Sequence, residues 1–432
     1  MVATVEPFMS EGAAWLRREA FLSRDIYDQE QERVFRRAWL FLGHESQVPN
    51  RRDFFTAYMG EEPVIVTRDG SSTIHAFLNT CRHRGMRVCR AEKGNTAAFT
   101  CSYHAWTYDT TGALIGVPKH KEGYYGELKK EEWGLISVKV ESYKGLLFGT
   151  FDPEATSLRD YLGDMAFYLD VILDRREGGT ELVSGVHRWV MKANWKVASD
   201  NNSGDWYHVP YTHGSMGRIR RRLGKAPMFQ DLENRVQISA HPGHTLVALL
   251  ADTPEDALRG VTPAVQEYEL SILPEVVQRL GPVRSRTIFI AGNVFPNFGW
   301  VPGSHSIRVF QPRGPEQMEV WSYCLVDKDA PPEVKRDIRR DYVTSFGPSG
   351  MLEQDDGENW TQVSASSHSS LARTLEFNYQ MGIGHERFHE DYPGTVGRAT
   401  GELTHRSFYS RWAQQMGITP GEPLQNGQGG EA

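Results

Sequence analysis

The chain has 432 residues, 39% of them hydrophobic, which is enough for two or three domains with cores of their own. Its net charge of -7 speaks against a nucleic-acid binder. There is no run of about 18 apolar residues and no basic-then-apolar start, so the reading is a soluble, unexported, cytoplasmic protein.

Residues 11–42 read as helical, with Trp15, Leu16, Phe35, Trp39 and Leu40 set among charges. From 43 to 155 the pattern changes to short β runs at 63–67, 74–78, 97–100 and 146–150, bounded by turn residues such as Asp69-Gly70, Lys93-Gly94-Asn95 and Thr111-Gly112. After Asp152-Pro153 the elements lengthen. Leu158 to Leu173 reads as one amphipathic helix, the segments 286–290, 306–310 and 318–323 as strands, and Pro331 to Phe346 as a long charged helix. The tail from Gly421 to Ala432 is Gly- and Gln-rich and is expected to be disordered. No internal repeat is visible. The 11 Trp, 17 Tyr and 20 Phe predict buried aromatic clusters.

Two Cys–His pairs stand out, Cys81-Arg82-His83 and Cys101-Ser102-Tyr103-His104, with 17 residues between His83 and Cys101. Two thiolates and two imidazoles at such spacing can grip a metal centre between two loops. A Rieske [2Fe–2S] cluster uses two Cys on one iron and two His on the other. A structural zinc site pairs Cys with Cys and His with His at short spacing. Here each Cys is paired with a His, which favours the cluster. The remaining thiols, Cys89 and Cys324, read as small core residues rather than a disulfide.

The stretch from Asp200 to His213 is the second dense spot. His208 and His213 are five apart, about 140° apart on a regular helix, so they would not face one metal. Pro210 between them disrupts helical bonding and can swing His213 back. Asp205 and Asn201 lie three and seven residues before His208, on one helical face with it. Two His and one carboxylate with open positions form the facial triad of non-haem Fe(II) oxygenases. Spacing does not find the third ligand. The acidic run Glu353-Gln354-Asp355-Asp356-Gly357-Glu358 is one candidate, against its commoner reading as a solvated charged loop.

These blocks, together with the continuation through Asn359-Trp360 and with Val294-Phe295-Pro296-Asn297 and Arg308 to Pro315, resemble the large (alpha) subunit of bacterial Rieske aromatic-ring-hydroxylating dioxygenases, the naphthalene and biphenyl dioxygenase group. The resemblance covers nearly the whole chain. It implies an α+β protein in which a small all-β Rieske domain is inserted into a catalytic domain, a large antiparallel sheet covered by helices in a helix-grip arrangement. The domains it implies are 1–42 as the N-terminal helical part of the catalytic domain, 43–155 as the Rieske domain, 156–420 as the catalytic domain and 421–432 as the tail. It also implies that Cys81 and Cys101 hold one cluster iron and His83 and His104 the other, with Trp106 shielding the cluster. His208, His213 and Asp356 would bind a mononuclear Fe(II), with Asn201 close by. Asp205 would link the partner subunit's His104 to His208. The implied reaction adds both atoms of O2 to an aromatic ring to give a cis-dihydrodiol, with electrons from NADH through a reductase and a ferredoxin. The implied assembly is a trimer, alone or as alpha3beta3 with a small beta subunit. No dinucleotide-binding fingerprint follows a strand, so NADH would act through those partners. A Rieske monooxygenase or demethylase, or a dioxygenase of a carboxylated aromatic such as a phthalate, are alternatives with the same metals. Relatives specific for hydrocarbons often carry apolar residues where this chain has Asn202 and Ser203, and a small one at Trp206, which points to a more polar pocket.

Other features have plainer readings. The basic run Arg218 to Lys225 reads as a solvated face. Arg87, Arg90, Lys93, Lys119 and Lys121 flank the cluster loops, where they would either steer an acidic ferredoxin or simply be solvated. His44, His187, His241, His244, His305 and His368 read as structural. Phe298, Trp300, Phe346, Leu352 and Trp360 are pocket candidates whose default role is core packing.

Overall fold

The computed structural model describes residues 7–222, 235–258 and 262–424. The tail expected to be disordered lies outside the described residues from Gln425 on, as does the basic run from Leu223 on. The chain divides into two compact units, 35–161 and 1–34 with 162–432.

The smaller unit is built from strands. A seven-stranded sheet takes β1 (Leu40–His44), β2 (Asp53–Met59), β3 (Glu62–Arg68), β4 (Ile74–Leu78) and β5 (Lys93–Asn95), then, beyond a three-stranded sheet of β6 (Ala98–Thr100), β7 (Thr107–Asp109) and β8 (Leu114–Gly116), it takes β9 (Ser137–Tyr143) and β10 (Leu146–Thr150), in the order β1-β10-β9-β4-β3-β2-β5. Phe54, Phe77, Phe99, Trp106 and Tyr108 form a buried aromatic core together with Cys81 and Cys101. The helical reading of 11–42 holds for a helix, α1 (Arg24–Glu30), for the π-helical turn Gln31–Phe35 that follows it, and for two single 3-10 turns, Glu11–Ala13 and Arg18–Phe21. Trp15 and Leu16 lie in a short strand, Trp15–Arg17, and Leu40 opens β1. All five residues of β1 are buried, and a short continuous apolar run does not reveal its period.

The larger unit carries a nine-stranded antiparallel sheet of β11 (Thr180–Met191), β12 (Arg235–His241), β13 (His244–Leu250), β14 (Thr287–Val294), β15 (Phe298–Val301), β16 (Ser306–Pro312), β17 (Met318–Asp327), β18 (Arg387–His389) and β19 (Tyr392–Arg398). The order is β11-β17-β16-β15-β14-β13-β12-β19-β18. Besides α1, its helices include α2 (Met165–Leu173), α3 (Trp195–Asn202), α4 (Val209–Thr212), α5 (Pro263–Arg284), α6 (Pro332–Phe346), α7 (Met351–Ser367) and α8 (Leu403–Met416), with a further helix over Gly214–Arg222. The one helix expected over Leu158–Leu173 is instead two, Leu158–Leu162 and α2, because Gly163 between them takes φ +50° and breaks the hydrogen-bond ladder.

Helix α3 lies on β14, β15 and β16, and α7 packs on α3. Asn194 caps α3 by accepting from Lys196 N. Lys196 is fully buried with its Nζ 2.6 Å from Glu30 Oε1, and the indoles of Trp195 and Trp412 each donate to that carboxylate at 2.8 Å. One buried carboxylate thus ties α3 to α1 and α8. No helix among the described residues is long and apolar enough to cross a membrane.

Candidate metal centres and active site

In the smaller unit the two Cys–His segments form near-matching loops. Cys81 N donates to Met86 O at 2.8 Å and Gly85 N to Cys81 O at 2.9 Å, while Cys101 N donates to Trp106 O at 2.8 Å and Ala105 N to Cys101 O at 2.9 Å. Gly85 and Ala105 both take positive φ, +73° and +56°. Each loop therefore doubles back four residues after its cysteine, which carries the histidine to the same side as the thiol. Both thiols are buried, and the rings of His83 and His104 have centroids 4.6 Å apart. Trp106 stacks on His83 at 4.9 Å and 7°. Tyr108 accepts from Arg82 N at 3.0 Å, which leaves its hydroxyl hydrogen free to point at Cys81 Sγ, 3.4 Å away.

Nδ1 of His83 is buried without a hydrogen bond. Burial, then His104 and Arg84, push its pKa down, so the ring is held neutral, the form a metal ligand needs. Two buried thiols and two imidazoles on paired loops fit a Rieske cluster. Cys89 lies outside this set: its backbone N donates to Asn79 Oδ1 at 2.8 Å, and its thiol contacts Ala91 O.

In the larger unit the sequence from Asn201 to His213 is a broken helix rather than one helical face. Helix α3 stops at Asn202, and Gly204 takes φ +113°, where a Cβ would lie 2.8 Å from the backbone of Leu246. Helix α4 then runs only from Val209 to Thr212, with His208 and His213 at its two ends. That break brings the imidazoles together, with ring centroids 5.4 Å apart. The acidic run is not a solvated loop. It forms the first turns of α7, and Glu353, Asp356 and Trp360 are buried on one face at helical spacing.

Asp356 Oδ1 lies 3.3 Å from Nε2 of His208 and 3.3 Å from Nε2 of His213. The three ligand-type atoms lie within 4.8 Å of one another. Each imidazole meets a second carboxylate on its other nitrogen. Asp205 Oδ2 is 3.1 Å from His208 Nδ1, and Asp355 Oδ2 is 3.2 Å from His213 Nδ1. Burial works against the charged forms, yet His208 holds Asp205 at about 2, and the two imidazoles hold Asp356 well below the usual carboxylate range. Burial likewise opposes a charge on His208, but Asp205 and Asp356 on either side raise its pKa to about 10. Such a cluster attracts a cation. Two imidazoles and one carboxylate match the non-haem iron triad, and the outer carboxylates fix ring orientation.

Asn201 stands beside this group. Its Nδ2 is 3.2 Å from His208 Nδ1, and its Oδ1 accepts from Trp360 Nε1 at 3.1 Å. Sequence reasoning missed the parts played by Trp360, which orients Asn201, and by Asp355. It also missed the fully buried ion pair of Arg308 Nη1 with Glu353, 3.0 Å apart. Helical spacing within α7 carried the signal for Glu353 and Trp360, whereas nothing local reveals Arg308.

A cavity of about 440 Å³ opens onto His208, His213 and Asp356. Asn202, Trp206, Val247, Ile290, Phe346 and Leu352 are among its walls. Of the other pocket candidates, Phe298, Trp300 and Trp360 are packed in the interior. Asn202 gives its amide to Gly292 O at 2.6 Å, and Ser203 returns its hydroxyl to Ser199 O at 2.7 Å, so both are tied to backbone.

Comparison with known proteins follows the same division. Residues 38–144 match the Rieske [2Fe-2S] domain, and residues 159–418 match the ring hydroxylating alpha subunit (catalytic domain). The biphenyl 2,3-dioxygenase subunit alpha of Rhodococcus jostii (strain RHA1) is 38% identical over 96% of this chain and 91% of its own length. The benzene 1,2-dioxygenase subunit alpha of Pseudomonas putida is 38% identical over 95% of this chain and 93% of its own. Among solved structures, naphthalene 1,2-dioxygenase with indole bound in the active site superposes with a TM-score of 0.86 at 33% identity, covering 95% of this chain and 93% of that one.

Proposed function

The chain belongs to the ring-hydroxylating alpha subunit family, and from that premise we propose that it is the terminal oxygenase of a multicomponent system that adds both atoms of O2 to an aromatic ring, giving a cis-dihydrodiol. It is a Rieske non-haem iron oxidoreductase with a [2Fe–2S] cluster, a mononuclear iron and O2 as co-substrate. When bound, the cluster supplies single electrons and the iron supplies the chemistry that activates O2.

The observation that carries the reading is the convergence of His208, His213 and Asp356 on one wall of an otherwise largely apolar cavity. Cys81, His83, Cys101 and His104 would hold the cluster, and the triad the iron. The cavity walls would hold the reacting ring edge beside the triad, which is where positioning gives most of its benefit. Asn201, fixed by Trp360, would stand over the triad as a polar neighbour. Asp205 would carry the connection between copies of the chain, its carboxylate joining His208 to the partner subunit's His104. Electrons would come from NADH through a reductase and a ferredoxin. The assembly would be a trimer of alpha subunits, alone or with small beta subunits, in the cytoplasm.

The test is to purify the protein aerobically, count iron and sulfide, and supply naphthalene, a reductase, a ferredoxin and isotopically labelled O2. We expect a Rieske EPR signal on reduction, about three irons per chain, and two labelled oxygens in one diol. A single labelled oxygen would replace the dioxygenase with a monooxygenase, and a colourless zinc protein would end the reading altogether.

A further inference from the structure

One wall of the cavity beside the triad is made by α6. Asp341, Ser345 and Phe346 of that helix line the cavity, and so does Leu352 in the first turn of α7, one turn before Asp356. Asp341 and Ser345 are four residues apart and share one face of α6. The helix leans on the turn Pro302–Ser304 after β15, whose Gly303 and Ser304 line the cavity as well. Phe346 ends α6, and Asp341 lies five residues before it, about 7.5 Å back along the helix axis. The lining therefore holds two polar groups on separate elements, the triad and the pair Asp341 and Ser345, among apolar residues such as Phe346, Leu352, Val301 and Ile290.

The other charges of this lining are engaged. Asp205 and Asp356 face the imidazoles, Arg308 pairs with Glu353, and the Arg235 guanidinium carbon lies 4.4 Å from the ring centroid of Trp206. Asp341 differs from them. Among the described residues its side chain makes no ion pair and no hydrogen bond, and burial alone pushes its carboxyl up. It is only half-buried, so the carboxylate keeps a surface that a ligand can reach. A partly desolvated carboxylate without a donor is costly to keep, and a ligand that brings the donor offsets that cost.

We infer that this enzyme's substrate is an arene carrying an N–H or O–H donor on a substituent remote from the ring edge that meets the triad, and that Asp341 is the specificity-determining residue that accepts from it. This rests on the ring-hydroxylating reading above and narrows its substrate class. Benzene and biphenyl, in the names of two relatives, offer no donor. A few placed polar groups in a largely apolar cavity are what fix a small ligand's orientation, and about 440 Å³ is in the range that takes such a ligand whole. The Ser345 hydroxyl, one turn along the same face, can accept from or donate to the same substituent.

The experiment is equilibrium dialysis of the purified, iron-loaded enzyme against three ligands of one shape: 2-ethylnaphthalene, 2-naphthalenemethanol and 2-(aminomethyl)naphthalene as its ammonium. A cavity without an acceptor prefers the ethyl compound, because a hydroxyl or ammonium buried without a partner is penalised. The expected result is that at least one donor compound binds as tightly as the ethyl compound or tighter. D341L should weaken that donor compound at least about tenfold relative to the ethyl compound, the effect of losing a hydrogen bond to a charged group. D341N, which keeps an acceptor oxygen, should retain part of the preference for the alcohol. Tighter binding of the ammonium than of the alcohol supports the inference with an amine as the donor, and the reverse order supports it with a hydroxyl. An ethyl compound bound at least about tenfold tighter than both others by the wild type, a comparison that needs no variant, overturns the inference, as does an unchanged ratio in D341L. The same preparation is then given the ligands with reductant and O2. A donor preference without any hydroxylated product supports the binding inference and removes the reaction. Dihydrodiol from the ethyl compound without a donor preference overturns the inference and leaves the reaction standing.

Discussion

Asp205 faces the outer nitrogen of His208, its Oδ2 3.1 Å from Nδ1, while Nε2 of the same ring turns inward to Asp356. The backbone N–H of His208 also donates to Asp205 Oδ1 at 3.3 Å, so the carboxylate is fixed from two directions. A residue in this position touches the proposed ligand without being one. Replacing it should therefore separate metal content from turnover.

Asp205→Ala is expected to retain about three irons per chain and the Rieske spectrum. Its kcat should fall by on the order of 100-fold, the upper range for loss of an outer partner to a metal ligand. Asp205→Asn should recover part of the orientation and little of the turnover. Chemical reduction followed by a single turnover locates the loss, because the reduced cluster in Asp205→Ala should fail to reoxidise when substrate and O2 are added. Normal reoxidation would remove Asp205 from the electron path.

Asp355 and Asp356 are neighbours with different geometry, and they should behave differently. Asp356 reaches both inner nitrogens, whereas Asp355 meets only Nδ1 of His213. Asp356→Ala should take iron from about three to about two per chain with the cluster spectrum unchanged. Asp355→Ala should keep the site but weaken iron retention about 10- to 100-fold. Metal analysis after dialysis against a chelator distinguishes the two. The reverse pattern would mean that the ligand is the first aspartate of the pair.

Much of this was legible in the chain because the chemistry is local. Cys81 and His83, Cys101 and His104, and His208 and His213 each sit within five residues of one another. Where the reading was incomplete, the cause was either period or distance. Leu40 to His44 is wholly buried, so its apolar run shows neither a helical nor a strand alternation. Leu158 to Leu173 keeps an apolar periodicity across Gly163, but only the backbone reveals that the helix stops there. Arg308 and Glu353 form a buried pair between β16 and α7, and no sequence spacing encodes a contact that only tertiary packing makes.

The cysteines divide into two classes that spectroscopy can separate. Cys81 and Cys101 sit beside the two imidazoles, whereas Cys89 is held by Asn79 and Cys324 lies in the core against α5 and α6. Cys81→Ser and Cys101→Ser should yield colourless protein in the cluster region, with iron reduced to about one per chain. Cys89→Ser should leave the visible and EPR spectra unchanged. A lost signal in Cys89→Ser would show that the cluster is held by a different set.

Asp200 offers a pH-dependent test away from the proposed ligands. His405 Nε2 is 3.1 Å from one of its oxygens, and the hydroxyls of Tyr379 and Tyr409 donate to the other at 3.0 and 2.9 Å. Burial dominates over these partners and lifts its pKa from 3.8 to about 6. A carboxyl whose folded pKa is raised contributes stability that is complete below the unfolded value and is lost as pH rises through the folded one. Relative to Asp200→Asn, the wild type should therefore lose about 1 to 1.5 kcal/mol between about pH 5 and about pH 7.5. Denaturant midpoints of the two proteins across this range provide the measurement, and parallel curves would show that Asp200 is ionised throughout.

Tyr108 is placed to tune the cluster rather than to hold it. Its oxygen already accepts from Arg82 N, so its own hydrogen is the one directed at Cys81 Sγ, and burial raises the phenol's pKa and keeps that hydrogen in place. A hydrogen bond to a cluster thiolate stabilises the more negative, reduced state, so removing it should lower the reduction potential. Tyr108→Phe is expected to drop the midpoint by roughly 20–60 mV, the equivalent of about 0.5–1.5 kcal/mol for a one-electron couple. The cluster should remain assembled, since Phe keeps the ring in the aromatic core with Phe54 and Phe99. Redox titration followed by EPR measures the shift directly. A potential that does not move would mean that the hydroxyl hydrogen is turned away from the sulfur, and that the Arg82 contact alone accounts for a tyrosine here.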